Sequence, residues 1–165
     1  MQLARAEGGR LQAEHPVEVT AVLRVLVDEI VMDDPKRIEL SLPDAPVFSG
    51  IDAGAFAILA QNLIENAMKH GSRQEPVRVA LSEDGVLRVL NAGSAVPPDV
   101  LASLSEPFER GGAQEEGAGL GLAIAKAIAS GIGGKIELIS PQEGRQDGFE
   151  ARFILANEKK RHKPS

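Results

Sequence analysis

The order of elements along the sequence predicts an α+β fold in which helices cover one face of a mostly antiparallel sheet. Alternating apolar and polar residues on both sides of short turns indicate two hairpins, at 77–89 and 135–155. Three segments with apolar residues at helical spacing alternate with these strands. Each such helix has an apolar face that must be covered, and a sheet in a second layer covers it.

The composition fits one globular domain. The 165 residues are enough for a single core, and no apolar run approaches the roughly 18 residues that cross a bilayer. The absence of cysteine excludes disulfides and thiolate metal sites. A net charge of -6 disfavours nucleic-acid binding, which needs a basic face. Glycine is the one oddity, because eight of the 17 glycines lie between Gly111 and Gly134.

The first half of the chain is expected to hold two helices and a strand. A helix is expected from Pro16 to about Asp33, followed by a half-buried strand at 37–42 and a loop or short strand to Gly50. Asp52 can cap a second helix that Gly71 ends. The residues expected inside are Val19, Val22, Val25, Leu26 and Ile30 of the first helix and Phe56, Leu59, Ala60, Leu63, Ile64, Ala67 and Met68 of the second.

The second half is expected to add two helices between the hairpins. A short helix is expected at 99–104, and a longer one from Leu120 to Ser130, with Ile124, Ala127 and Ile128 inward. Gly131 would end the longer helix.

Three polar residues of the central helix, Asn62, Asn66 and Lys69, lie beside its apolar stripe rather than opposite it. Carboxamide oxygens suit Mg²⁺ that is shared with substrate phosphates, and a lysine adds a positive charge for the same phosphates. From these residues alone, an ordinary polar helix face remains the alternative.

Two segments that contain glycine and other small residues are candidates for ligand binding. Small residues at 91–97 would let the backbone approach a flat ligand, and Asn91 can accept a hydrogen bond from an exocyclic amine. Alternating glycines at 117–122 open a helix, where free N–H groups favour phosphate. Taken singly, these segments are also compatible with a plain loop and a flexible linker.

Together, four segments resemble a known family. In order, NLIENAMKH (62–70), NAGSAV (91–96), PFER (107–110) and GAGLGL (117–122) resemble the N, G1, F and G2 boxes of the ATP-binding catalytic domain of bacterial sensor histidine kinases, in the GHKL superfamily. The resemblance covers 18–155. It implies a Bergerat-type two-layer α/β sandwich with three main helices on one face of a mixed, mostly antiparallel sheet. It also implies ATP and Mg²⁺ as cofactors.

The resemblance assigns roles to single residues. Asn66 would bind Mg²⁺, Asn62 and Lys69 would face the phosphates, and His70 would lie near the ribose and phosphates. Arg110 would reach the triphosphate, so that Asn66, Lys69 and Arg110 would be the catalytic residues. The positions implied to contact the nucleotide are Asn62, Asn66, Lys69, His70, Asn91, Gly93, Ala95, Val96, Phe108, Arg110, Gly117, Gly119, Leu120, Gly121 and Leu122.

Two positions depart from the family pattern. Asn91 stands where the family usually has an aspartate that reads the adenine amine, and Ala95 replaces the usual second glycine of the G1 box. The amide oxygen of Asn91 can still accept that bond, but without a charge. We therefore expect weaker ATP binding with an unchanged fold.

The resemblance also bears on the reaction. In the related hydrolases, a glutamate four residues before the metal-binding asparagine activates water, and here that position is Asn62, which cannot act as a base. Transfer of the γ-phosphate to a protein histidine is therefore preferred to hydrolysis. The alternatives are a degenerate nucleotide-binding regulatory module, a GHKL-type ATPase and an anti-sigma serine kinase.

The acceptor histidine is expected on another domain. Residues 1–12 resemble the end of a dimerisation and phosphoacceptor helix, 13–157 form the catalytic domain, and 158–165 form a basic tail. The expected parent is a two-component sensor at the cytoplasmic membrane, homodimeric through helices outside this chain, with the catalytic domain monomeric in the cytoplasm. Its expected partners are its own phosphoacceptor domain and a response regulator, and no nucleic acid.

Overall fold

The computed structural model describes residues 11–105, 117–142 and 144–155. None of the helices in these ranges is long and apolar enough to span a bilayer. The elements are β1 (Gln12–Glu18), α1 (Val19–Ile30), a 3₁₀ turn (Pro35–Arg37), β2 (Ile38–Ser41), β3 (Phe48–Ile51), α2 (Ala53–His70), β4 (Val77–Leu81), β5 (Val86–Asn91), α3 (Pro98–Ser105), α4 (Gly117–Gly131), β6 (Lys135–Ile139) and β7 (Phe149–Ile154).

The main sheet is five-stranded, with the order β2-β4-β5-β7-β6. β2 runs parallel to β4, and the remaining neighbours are antiparallel. β1 and β3 form a separate two-stranded antiparallel sheet. The mixed, mostly antiparallel sheet that the sequence predicts is confirmed.

The core lies between one face of this sheet and the helices. Val79, Val89 and Ala151 are aligned across β4, β5 and β7, and all are buried. Their strand neighbours project to the opposite face because side chains alternate along a strand. α1 packs against β2, α2 against β4 and β5, and α4 against β6.

α2 is the centre of the helical layer and follows the prediction closely. The Asp52 carboxylate accepts a hydrogen bond from the Ala55 N–H at 3.0 Å and so caps the helix. The Gly71 N–H closes the other end by donating to the Ala67 carbonyl at 2.8 Å. The predicted stripe is buried from Phe56 to Ala67, and Met68 is partly buried.

Two residues expected inside lie outside. Val25 of α1 is 57% exposed, whereas Leu23 is fully buried. Ala127 of α4 is exposed, and Ala125 is fully buried in its place. Both helices carry apolar residues around most of their circumference, so the spacing alone does not fix which side faces the core.

The beginning of the described chain differs from the prediction. The expected helix from Pro16 is wrong at its start, because 12–18 form strand β1 and the helix begins at Val19. Leu11 is buried, and its carbonyl accepts a hydrogen bond from the Asp52 N–H at 2.7 Å. Leu11 thus packs in the core, and Gln12 is paired with Ile51 of β3. Residues 1–10 and the basic tail 158–165 lie outside the described residues.

Candidate functional site

The second half of α2 places two asparagines at the border between core and solvent. Asn62 and Asn66 are partly buried, whereas Lys69 and His70 are exposed in the last turn. Gln61 and Glu65 face solvent, and Gln61 Nε2 donates a hydrogen bond to Glu65 Oε2 at 2.9 Å. The four predicted residues of this helix thus form one strip along its edge.

Two amide oxygens stand out by their lack of partners. In the described part of the chain, the buried side-chain atoms without a hydrogen-bond partner are Asn66 Oδ1 and Asn91 Oδ1. Leaving a buried acceptor unsatisfied costs about 1–3 kcal/mol, so such atoms are uncommon and call for a partner such as a water, an ion or a ligand. Both asparagines are predicted site residues. Their oxygens are available to accept a hydrogen bond or to bind a cation.

The side chain of Asn62, on α2, lies next to α4. Its Nδ2 donates to the Ile58 carbonyl of its own helix at 2.8 Å. Its Oδ1 would lie 3.3 Å from a Cβ placed at Gly121. The glycine at 121 therefore lets α4 approach the asparagine strip closely.

Asn91 ends β5 and is held tightly. It is 6% exposed, and its Nδ2 donates to the Ala92 carbonyl at 3.0 Å. With Nδ2 occupied, Oδ1 remains as the free acceptor of the amide. A Cβ at Gly71 would lie 2.8 Å from Asn91 Cβ and 2.7 Å from the Ala67 carbonyl oxygen. Glycine at 71 thus allows the end of α2 to contact Asn91.

The segment after Asn91 is fixed by backbone contacts. The Ala92 carbonyl accepts from the Ser72 N–H at 2.9 Å, and the Gly93 carbonyl accepts from the Gly148 N–H at 2.8 Å. Gly93 has a φ of 132°, which only glycine adopts readily. Ala95 and Val96 are partly buried, and Val96 packs against the core.

The glycine-rich segment forms the first turns of a helix. α4 begins at Gly117, so Gly117, Gly119 and Leu120 lie within it, earlier than the predicted start at Leu120. The first N–H groups of a helix lack intrahelical partners and favour anions. Leu122 is 2% exposed and packs in the core. Phe108 and Arg110 lie outside the described residues.

A family model described as histidine kinase-, DNA gyrase B-, and HSP90-like ATPase matches residues 51–158. The chain belongs to this family. That span includes every predicted site residue, from the α2 asparagines to the glycines of α4.

Individual relatives agree with this assignment. A bacteriophytochrome of Pseudomonas aeruginosa is 33% identical over 147 residues, 84% of this chain and 20% of its own length. The sensor protein CutS of Streptomyces coelicolor is 33% identical over 153 residues, 86% of this chain and 36% of its own. The chain thus spans a fifth to about a third of these relatives.

Solved structures confirm the fold. The mycobacterial sensor histidine kinase MprB aligns with a TM-score of 0.70 at 24% identity, covering 87% of this chain and 97% of that one. Full-length ShkA, crystallised in complex with AMPPNP, aligns with a TM-score of 0.65 at 25% identity, covering 94% and 34%. This chain therefore has the α+β fold of histidine kinase catalytic domains.

The structure also brings three residues that the sequence does not single out into contact with the predicted site residues. Ser140, Gln142 and Gly148, in the connection between β6 and β7, contact the 91–96 segment. Gln142 is 6% exposed although it lies in a hairpin connection. The local sequence around Gln142 indicates only a polar turn. The contact with Asn91 joins residues about fifty positions apart, so it leaves no local pattern. A buried glutamine in a turn cannot be recognised before the fold is known.

Proposed function

We propose that this chain binds ATP and Mg²⁺ and transfers the γ-phosphate to a histidine of a phosphoacceptor domain. The observation that carries the proposal is the pair of buried, unpartnered oxygens, Asn66 Oδ1 and Asn91 Oδ1. One fits a cation and the other an amine donor, and ATP with Mg²⁺ supplies both. The ShkA structure in complex with AMPPNP, an ATP analogue, supports the same ligand class.

The adenine end of the site is proposed to lie at Asn91. Its Oδ1 would accept a hydrogen bond from the exocyclic amine, because its Nδ2 already donates to Ala92. This hydrogen bond would form in a buried environment, where competition from water is weak. Gly93 and Ala95 would leave room for the flat base next to this contact.

The phosphate end is proposed to lie along α2 and the start of α4. Asn66 Oδ1 fits Mg²⁺, which takes few protein oxygens and shares phosphate oxygens and water. When bound, the ion would neutralise phosphate charge. Lys69 and His70 at the exposed end of α2 would face the phosphates, and the first amides of α4 would add donors. Arg110 and Phe108 are proposed at the lid on the family pattern alone.

Transfer is proposed rather than hydrolysis because α2 lacks the glutamate that activates water in the related hydrolases. Asn62 stands where the hydrolases carry a glutamate, and its amide already bonds to the Ile58 carbonyl. Glu65 is exposed and accepts from Gln61 on the solvent side. Catalysis would then consist of positioning the triphosphate and stabilising its charge, with an external histidine as nucleophile.

The acceptor and partners are proposed from the relatives. The phosphoacceptor would be a histidine of the parent's own dimerisation domain, and a response regulator would receive the phosphoryl group. The parent would be a homodimeric sensor at the cytoplasmic membrane with this domain in the cytoplasm. Relatives several times longer than this chain, such as the bacteriophytochrome, are compatible with such an arrangement.

A transfer assay tests the proposal. The chain is mixed with Mg²⁺, γ-labelled ATP and the parent's phosphoacceptor domain, and the label on that domain is followed at acid and alkaline pH. We expect acid-labile, alkali-stable label, as for phosphohistidine. Asn66→Ala should abolish labelling, whereas Gln61→Ala, on the solvent side of the same helix, should keep it. Acid-stable label, or phosphate release without labelling, would contradict the proposal.

A further inference from the structure

The connection between β6 and β7 is bonded to the segment proposed to recognise the base. Ser140 Oγ accepts a hydrogen bond from the Val96 N–H at 2.8 Å and donates to the Gly148 carbonyl at 2.5 Å. The Gly148 N–H in turn donates to the Gly93 carbonyl at 2.8 Å. These bonds tie both the middle and the end of segment 91–96 to one turn.

Gln142 contacts the residue that is proposed to read the base. Its Nε2 donates to the Asn91 main-chain carbonyl at 2.9 Å, and the side chain is 6% exposed. A Cβ at Gly148 would lie 2.5 Å from Gln142 Nε2 and 2.9 Å from Gln142 Cδ. Gly148, with a φ of 92°, therefore leaves the space in which Gln142 lies.

The turn does not need the Gln142 side chain for its own closure. The Gln142 N–H donates to the Asp147 carbonyl at 3.0 Å, and the Gln142 carbonyl accepts from the Arg145 N–H at 3.0 Å. Arg145 adds an ion pair to Asp147 at 2.9 Å. The turn is thus closed by its own groups, and the side-chain amide of Gln142 is directed to Asn91.

We propose that Gln142 and Ser140 are positioning residues for base recognition. The inference rests on the proposed role of Asn91 in reading the exocyclic amine. Gln142 fixes the backbone of Asn91, and Ser140 fixes the backbone at Val96. Together they set the direction of the Asn91 amide, which would otherwise have to be ordered when the nucleotide binds.

The experiment compares ATP with ITP, which has an oxo group in place of the exocyclic amine but the same ribose and triphosphate. Calorimetry gives the affinity ratio for the wild-type chain and for Gln142→Met, which keeps the side-chain length and removes the donor. Ser140→Ala is the second variant, and Ser140→Thr, which keeps a hydroxyl, is its rescue. Gln146→Ala, at an exposed residue of the same turn, is the matched control.

We expect the wild-type chain to prefer ATP, and Gln142→Met to lower the ATP-to-ITP ratio about three- to tenfold, as one lost hydrogen bond predicts. ITP affinity should stay nearly constant, and Ser140→Thr and Gln146→Ala should keep the wild-type ratio. A merely structural role would lower the thermal midpoint without changing the ratio, and that result overturns the inference.

The outcomes separate the inference from the proposed function. A wild-type chain that binds neither nucleotide contradicts the proposed function itself. A wild-type chain that prefers ATP, with variants that keep the same preference, leaves the function standing and overturns the role of Gln142 and Ser140. If Gln142→Met does not fold, Gln142→Leu, which also removes the donor and adds no charge at this buried position, gives the same comparison.

Discussion

At the scale of single residues, the site depends on which atom of each amide is already engaged. The sequence predicts Asn66 and Asn91 as ligand-binding residues, but not which of their atoms are free. In the structure, Asn91 Nδ2 is bonded to Ala92, while Asn91 Oδ1 and Asn66 Oδ1 are buried and unpartnered. The free atoms are acceptors, which suits an amine and a metal ion.

Asn91→Asp tests whether the side chain at position 91 accepts a hydrogen bond from the adenine base. A carboxylate accepts a stronger hydrogen bond from an amine than an amide does, so we expect ATP affinity to rise about threefold or more. The same change replaces Nδ2, which donates to Ala92, by a second acceptor, so the thermal midpoint should fall. Calorimetry and thermal unfolding measure the two effects. Unchanged or weaker ATP binding in a folded variant would contradict the role of Asn91.

Gly71→Ala tests the contact between α2 and Asn91. The new methyl would lie 2.7 Å from the Ala67 carbonyl oxygen and 2.8 Å from Asn91 Cβ, so the backbone must shift. We expect a loss of about 1–3 kcal/mol in the free energy of unfolding, together with weaker ATP binding. Denaturant unfolding and calorimetry measure both.

Gly54→Ala, in the first turn of the same helix, is the control for this change. Its methyl would lie 3.1 Å from Asp52 Oδ2, the oxygen that caps α2, and the end of this side chain can shift by a few tenths of an ångström. We expect little change in stability and none in ATP affinity. Equal losses of stability and of ATP affinity in Gly54→Ala and Gly71→Ala would contradict a specific role for the contact between Gly71 and Asn91.

At the scale of elements, the sequence predicts what local spacing determines. The stripe of α2, its Asp52 cap and both hairpins of the main sheet follow from residues close in sequence, and all are confirmed. Strand β1 was missed because Pro16 resembles a helix start, whereas pairing with β3 decides its conformation. The bond from Gln142 to Asn91 likewise depends on the tertiary fold.

Leu11→Ala tests whether the chain before β1 belongs to the domain. Leu11 is 6% exposed and packs in the core, and truncating such a side chain costs about 2–5 kcal/mol. Thermal or denaturant unfolding should show this loss. Gln12→Ala, at the exposed neighbouring residue, should change stability by less than about 0.5 kcal/mol. A neutral Leu11→Ala would place the domain boundary after it.

At the scale of the whole molecule, the net charge and the charge at single sites differ. The chain carries a net charge of -6, yet it is proposed to bind a triphosphate, through Lys69, Mg²⁺ and helix amides.

On the sheet face opposite the helices, the fully buried Glu150 carboxylate accepts hydrogen bonds from Arg88 at 2.7 Å and from Arg152 at 2.9 Å. Burial raises the pKa of Glu150, but the hydrogen bonds from the two arginines outweigh it and leave the pKa below its usual value.

This arrangement predicts an acid-sensitive contribution to stability. Because the pKa of Glu150 is lower in the folded state, its contribution is complete above the unfolded pKa of about 4.3 and is lost as the pH falls through the folded pKa. Glu150→Gln should therefore reduce the free energy of unfolding by about 1–3 kcal/mol at pH 7, and less in acid, because both arginines are partly exposed. Glu39→Gln, from an exposed pair with Arg78 at 3.7 Å, should have little effect. A stability difference between the wild-type chain and Glu150→Gln that stays the same at every pH would contradict the assignment.

The most direct test of the central claim is a calorimetric titration of the whole chain with ATP in the presence and absence of Mg²⁺. We predict saturable binding that weakens without Mg²⁺ and is lost in Asn66→Ala, with Gln61→Ala binding like the wild type. The absence of ATP binding up to millimolar concentrations in the folded wild-type chain would contradict the claim.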